Sequence, residues 1–519
     1  MKKVLFPFLI TLLYSNVTFS QASSVEVEWG PLLKAKDTDF NYVIGADDEF
    51  FYTFGVEDKG MFGALLARDL HIKKYSRDKY RLIYDREIKS FEYKGKDADF
   101  AECRIENGEV HVFFKVFHSQ LDTKFMIRRI VDAKGRVSAS EEVANVPAER
   151  RSDGNFIINY SKDSSKVLIY SDFPYEKKES EKFKVNVLDR NLNMLWEKEV
   201  TLPYTDKYFT LQDQTVTNDG DVFIIGYAEP DRDKGERKQR KESNEYYKVF
   251  RVSENDDIME YDLGLDDKFV SSVAISSDFG ENQMAIAGFY SDQKANRVGG
   301  SFYITIDQET LDPTTFSSEP FGKDFMKNFM SDRKVEKGRE LYNFEFREFL
   351  RRKDGGAVAV AEQYYVVTST TRMANGATST TYYYHYNDII VININPDGTI
   401  AWTSHIPKFQ TSANDGGFYS SYLLLVEEQA LNFIFNDNRK NLQRMADDKD
   451  LKGLGNVKKS VAIISTVDAN GNVTREELFN NRDLSAILVP KKSVQISDRE
   501  VILFGIKRSR NRFGTMTLR

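Results

Sequence analysis

Residues 388–402 read DIIVININPDGTIAW: an alternating apolar strand, a tight turn at Asp397-Gly398, and a second strand that ends on tryptophan. Apolar residues at every second position mark a half-buried strand, and an Asp-Gly pair between two such runs marks a hairpin. The turn follows the pattern aliphatic, polar, any, polar, turn residue, polar, aliphatic. It recurs as INPDGTI from Ile394, VDANGNV from Val467, VDAKGRV from Val131, LDRNLNM from Leu188 and VSENDDI from Val252, with looser copies from Tyr75 and Ile306. Successive copies start 54 to 88 residues apart, a period that belongs to stacked β-units.

Between these copies lies a second recurring hairpin, seen in SKDSSKVLIYS from Ser161, TNDGDVFIIGY from Thr217, SSDFGENQMAIAGF from Ser276, RKDGGAVAVAE from Arg352 and ISDREVILFGI from Ile496. Two hairpins per period make four strands, a to d, which is the blade of a β-propeller. The last period offers strand a at 486–494, b at 501–506 and c at 513–518, and then no d. The missing strand is expected at the other end. Trp196 and Trp402 each sit on a d strand with an aliphatic residue four positions later, Val200 and Ile406, and the remaining tryptophan, Trp29, has Leu33.

The expected fold is therefore all-β: a single β-propeller of about eight four-stranded blades, with seven as the alternative, closed by pairing of the N-terminal strand 24–34 with the C-terminal blade. Closure leaves no open ring edge. The propeller is expected to span 21–519, with insertions at 321–341, 366–381 and 436–458.

The turns before Val-rich strands, Ser161-Lys162-Asp163 and Asn218-Asp219-Gly220, resemble the repeats of TolB-like propellers within the wider TolB-like/WD40-like superfamily. That resemblance spans most of the chain at superfamily level, and it implies a role mainly in binding. The WD signature itself is missing, the Gly-Gly pairs at 299, 355 and 416 lack kelch spacing, and NPDGTIAW departs from the sialidase Asp-box. Three tryptophans are too few for a quinoprotein propeller.

The chain of 519 residues is 41% apolar and 13% aromatic, enough for a large core, and its net charge of -7 is spread without blocks. A nucleic-acid partner needs a clustered basic face, so none is expected. The start, MKKVLFPFLITLLYSNVTFSQA, has two lysines, an apolar run and small residues before Gln21, which reads as a secretory signal peptide over 1–20, too short to span a membrane. Its ending resembles exported proteins of the Bacteroidota. The protein is thus expected in the periplasm or associated with the outer membrane or cell surface, with no transmembrane segment. Cys103 is the only cysteine, so no intramolecular disulfide exists, and a buried structural thiol is the expected state.

In a propeller the b–c and d–a connections share one face. Here those connections are long, at 174–182, 230–245, 291–300, 368–381 and 436–458, with a d–a insertion at 321–341, whereas the a–b and c–d turns are short. Elaboration of one face of a rigid scaffold marks where binding resides. The sixth-blade extension, QYYVVTSTTRMANGATSTTYYYHYN from Gln363, reads as a long hairpin tipped by Asn375-Gly376. Its candidate binding residues are Tyr364, Tyr365, Arg372, Tyr382, Tyr383, Tyr384 and Tyr386, because tyrosine offers a large rigid area with a polar end. The same rings could instead pair across the hairpin and stiffen it. Phe321, Phe325 and Phe329, four apart with Met326 and Met330 alongside, form a helical stripe expected to pack on the propeller. The mixed charges of DRDKGERKQRKESNE from Asp231 read as a solvated loop, and a short helix is expected within 438–454 through Leu442 and Met445.

Chemistry-bearing motifs are sparse. His71, His111, His118, His385 and His405 are scattered without metal-ligand spacing, and no nucleophile elbow or phosphate loop occurs. No catalytic residue, metal or cofactor is expected. The functional expectation is a non-catalytic envelope protein whose loop-rich face binds an envelope protein or a glycan. The alternative is a carbohydrate-active hydrolase or lyase with carboxylates near the central channel, since such pairs are set by spatial separation, which sequence spacing cannot show.

Overall fold

The computed structural model describes residues 25–34, 42–56, 69–88, 92–228, 246–265, 268–280, 282–294, 296–372, 376–442 and 451–519. The described residues form a β-propeller of eight blades. Blades 1 to 7 occupy 42–88, 96–147, 155–205, 209–262, 269–320, 344–413 and 423–480, each with four antiparallel strands in sequential order. Blade 8 joins 487–518 to the N-terminal strand Val25–Trp29.

The recurring c–d turn is closed by local hydrogen bonds where its second residue is Asp. The second residue's carboxylate accepts from backbone N–H groups two and four residues on, at Asp132 from Lys134 and Arg136 and at Asp468 from Asn470 and Asn472. In three copies the fifth residue is a left-handed glycine, with φ of 78° at Gly135, 85° at Gly398 and 82° at Gly471, a conformation that glycine adopts without strain. Leu192 takes the same conformation at 67°, its side chain buried among Phe113, Val167 and Leu188 of blades 2 and 3. Glycine at 471 also makes room for Trp402 on strand d of the preceding blade: a Cβ would lie 2.7 Å from the indole, whose Nε1 donates to Ala469 O at 3.0 Å. The d-strand tryptophan thus fastens blade 6 to blade 7.

A register shift recurs in strand a of blades 1, 2, 4, 5 and 6, at Val43/Gly45, Phe100/Glu102, Leu211/Asp213, Val270/Ser272 and Phe346/Glu348. A bulge bends its strand and sharpens the twist. In those five blades it lies on strand a, the first strand of the blade.

The ring closes as the sequence pattern implies. Val25 to Trp29 run antiparallel to Leu518 to Gly514, and Leu33 pairs with Asn511. Gly30 N donates to Phe513 O at 2.9 Å, and Arg512 Nε donates to Gly30 O at 2.8 Å. The seam with blade 1 is a shared core of Phe51, Tyr75 and Tyr80 with Val489, Ile502, Phe504 and Phe513. Polar links reinforce it: Tyr80 Oη lies 3.1 Å from Thr515 Oγ1 and Arg77 lies 3.0 Å from Glu500.

Two expected elements take another form. Strand a of blade 8 is not one run over 486–494; it divides into Ile487–Leu488 and Val494–Ser497 around a short 3-10 turn, Pro490–Lys492, because Pro490 has no N–H for a ladder. The phenylalanine stripe is not one helix. Lys323–Lys327 and Asp332–Glu336 are separate short helices, with Ser331 in extended backbone starting the second. The rings nevertheless pack on the propeller edge-on, Phe321 to Phe325 at 5.3 Å, Phe325 to Phe329 at 5.2 Å and Phe329 to Phe344 at 5.8 Å. After them Leu341–Tyr342 pairs with Arg297–Val298, so the d–a insertion and the b–c connection of blade 5 hold each other.

Candidate functional site

The sixth blade carries the two longest strands among the described residues. Strands b, Ala357–Arg372, and c, Thr378–Ile394, run far past the blade, and strand d, Ile400–Ala413, accompanies them until Ala413 meets Tyr383. The extension is thus three-stranded in its lower half and two-stranded above. Gly376 near its tip has φ of 83°; residues 373–375, with the expected Asn375, lie outside the described residues.

Strand alternation divides the candidate tyrosines between two faces. Tyr364 pairs with Tyr386, Val366 with Tyr384 and Thr368 with Tyr382 on one face; Tyr365 pairs with His385 and Val367 with Tyr383 on the other. At the base the rings engage one another. Tyr364 and Tyr386 have centroids 4.7 Å apart, Tyr386 is buried, and Lys491 sits 4.5 Å over its ring. Gly417, at φ of 68°, passes so close that a Cβ would be 2.1 Å from that ring. Tyr365 stacks on His385 at 4.4 Å and touches Tyr342 at 6.1 Å. Higher up the side chains are open: Tyr382 is 46% exposed and Tyr383 38%, with Val366 at 41% and Val367 at 45%. Tyr384 is half-buried and Arg372 exposed at the far end of strand b.

The foot of the hairpin is held by a buried charge network that spacing along the chain does not reveal. Glu362, fully buried on strand b, accepts from Lys408 Nζ at 2.8 Å, Ser421 Oγ at 2.9 Å and Arg347 Nε at 3.2 Å. Lys408, also fully buried, donates to Tyr386 O at 2.7 Å. Burial pushes the Lys408 ammonium below the usual lysine range, against the pull of Glu362. Gln410 carries the network into blade 7, accepting from Ser421 N and donating to Asn436 O, both at 2.8 Å. Every polar group of this cluster that is named here has a partner, which is the condition for a buried network to rigidify its surroundings. Beside it a groove runs between Phe329, Asp388, His405 and Phe409, where Asp388 lies 3.1 Å from His405 Nε2.

A second group of carboxylates lies at the loop-rich end of blade 3. Glu181 is buried, and burial together with Asp206 and Asp172 raises its carboxyl to about 8. Its proton is therefore kept on folding but lost from the unfolded chain above its ordinary value. The folded state binds more protons between about 4.5 and about 8, so stability falls as pH rises through that window and levels off above it. Removing the charge in E181Q is expected to flatten this decline; equal pH slopes of the melting temperature in E181Q and the parent would contradict the assignment.

Other candidate groups are structural in their surroundings. Cys103 is half-buried on strand a of blade 2, and burial pushes its thiol up, away from the reactive thiolate. His71 lies 2.8 Å from Asp85, and burial lowers His111 to about 4. No His/Cys/Asp/Glu group arranged to hold a metal occurs among the described residues. The basic KRSRNR segment forms the tight b–c turn between Glu500–Lys507 and Arg510–Leu518. Within 438–454, a 3-10 turn, Arg439–Asn441, stands in place of a helix among the described residues, and Leu442 packs on the core between blades 6 and 7; Met445 lies outside them. The stretch 230–245, expected to be a solvated loop, and residues 1–20, expected to be a signal peptide, also lie outside them. No described helix is long and apolar enough to cross a membrane.

What these features define is an eight-bladed propeller with one plain face and one elaborated face. No family model and no curated protein sequence matches the chain. Among solved structures it is similar to the polysaccharide lyase Uly1, at 8% identity over 95% of this chain and 100% of that one, with a TM-score of 0.36. It is also similar to the β-propeller domain of the Trilobed protease from Pyrococcus furiosus, at 10% identity over 73% of this chain and 94% of that one, TM-score 0.31. A third is the Pyrococcus horikoshii acylaminoacyl peptidase, at 11% identity over 90% and 58%, TM-score 0.35. These likenesses carry no chemistry to this chain.

Proposed function

We propose that the protein is an exported, non-catalytic component of the cell envelope that binds another macromolecule, a protein or a glycan, with its loop-rich face. The observation that carries this reading is the upper half of the sixth-blade hairpin. Val366, Val367, Tyr382 and Tyr383 stand exposed there on regular strands rather than on loose loops, above a foot locked by Glu362 and Lys408. Rigid rings give contact area at low entropic cost, and such residues dominate binding energy at interfaces. Paired rings lower down, Tyr364 with Tyr386 and Tyr365 with His385, hold the hairpin upright. The leader-like N-terminus supports export.

The double variant Y382A/Y383A tests this. Both positions are exposed, so stability should change by no more than about 0.5 kcal/mol per site. Affinity for the partner should fall by at least about tenfold. Unchanged affinity would remove the hairpin from the interface. Turnover of a defined glycan or peptide by the wild-type chain would overturn the non-catalytic reading.

A further inference from the structure

Strand b of the sixth blade is flanked on both sides only as far as Gln363. Up to that residue strand a, Phe344–Arg351, covers one edge and strand c the other. Tyr364 N still reaches Asn343 O at 2.9 Å. Beyond it strand c alone pairs with strand b, from Val366 opposite Tyr384 to Arg372 opposite Thr378. Residues 366–372, VVTSTTR, therefore present an outward edge on which no strand lies among the described residues, and all seven are exposed.

Open edges template pairing with other chains, and folded proteins blunt them with charge, proline, bulges or short length. The outermost strand of blade 3 does this with Glu197, Lys198, Glu199 and Pro203. The 366–372 edge has none of these devices in its body. Its register with strand c is unbroken, five of its seven residues are β-branched, and its one charge, Arg372, stands at the end.

We propose that this edge is a dimerisation surface, on which residues 366–372 of two copies pair antiparallel about a twofold axis. The occupant must be an extended strand, because the groups left open are main-chain N–H and C=O in strand geometry. A second copy fits because the segment is self-complementary. With Ser369 on the axis, Thr368 faces Thr370, Val367 faces Thr371 and Val366 faces Arg372 of the other copy, so no like charges oppose. Side-chain parity is preserved in this register. Each Arg372 enters the row of the other copy's Val366 and Tyr384, where a guanidinium can lie against an aromatic ring. The self-paired interface is isologous and closes on itself, leaving no new edge. This inference goes beyond the binding function: it rests on main-chain edges and not on the exposed rings, so either can fail alone.

Analytical ultracentrifugation of the full chain tests it. The wild type is expected to show a concentration-dependent monomer–dimer equilibrium. T368K/T370K places like charges opposite one another in both rows beside the axis and should raise the dimer Kd at least about tenfold. T368K/T370E places opposite charges in the same rows and should restore the dimer. The parent side chains are exposed, so both variants should melt with the wild type. A wild-type chain that stays monomeric at every concentration would overturn the proposal. So would a dimer indifferent to T368K/T370K, or a T368K/T370E chain as weakly associated as T368K/T370K.

Discussion

Deleting residues 25–34 is expected to destabilise the whole ring and not one blade alone. The segment supplies the fourth strand of blade 8 through five consecutive register pairs, and Val25, Val27 and Trp29 pack on a core shared with Leu425 and Ile464 of blade 7 and Leu503 and Met516 of blade 8. Trp29 also meets Phe479 of blade 7 edge-on at 5.2 Å. Each of these three partly buried side chains contributes roughly 1–2 kcal/mol, so the loss should be about 3–6 kcal/mol before the cost of an uncovered strand is added. That strand, Arg510–Leu518, would become an open edge and a site for aggregation. Denaturant unfolding should show a lower midpoint for the whole transition. An unchanged midpoint would mean that the ring does not depend on its N-terminal strand.

The second large effect is expected at the foot of the hairpin. K408M leaves Glu362 buried with its closest cation gone, although Arg347 and Ser421 remain. Breaking a buried ion pair from one side costs about 3–5 kcal/mol, whereas replacing both members by apolar residues is often close to neutral. K408M alone should therefore be severely destabilising, and K408M/E362L should recover more than half of the loss. If the double variant is no better than the single one, the network acts through its individual hydrogen bonds to Tyr386 O and Gln410 rather than through charge pairing.

The blades were legible in the sequence because their turns are made by local chemistry. An Asp carboxylate that accepts from the backbone two and four residues on, followed by a left-handed residue, leaves a short pattern in the chain, as at 131–137 and 467–473. Trp29 was legible for a related reason: its spacing to Leu33 repeats that of Trp196 and Trp402 on other d strands. The parts that were not legible depend on distant partners. Glu362 and Lys408 lie 46 residues apart, and each taken alone resembles an ordinary surface charge. Tyr382 and Tyr386 have the same strand parity, yet one is open and the other buried, because the Gly416-Gly417 connection folds over Tyr386 and Lys491 arrives from blade 8. The four-residue spacing of Phe321, Phe325 and Phe329 survives a break between two short helices, so periodicity located the packed face but not the element.

Binding through the exposed sixth-blade hairpin is the central feature of the proposed function. Its most direct test is affinity purification of the tagged chain from native envelopes beside a variant in which residues 366–381 are replaced by a two-residue Asn-Gly turn. The expected result is a stoichiometric partner with the wild type that is lost with the variant while the ring still melts cooperatively. A partner retained by the variant, or no partner with either chain together with turnover of a defined glycan, would contradict it.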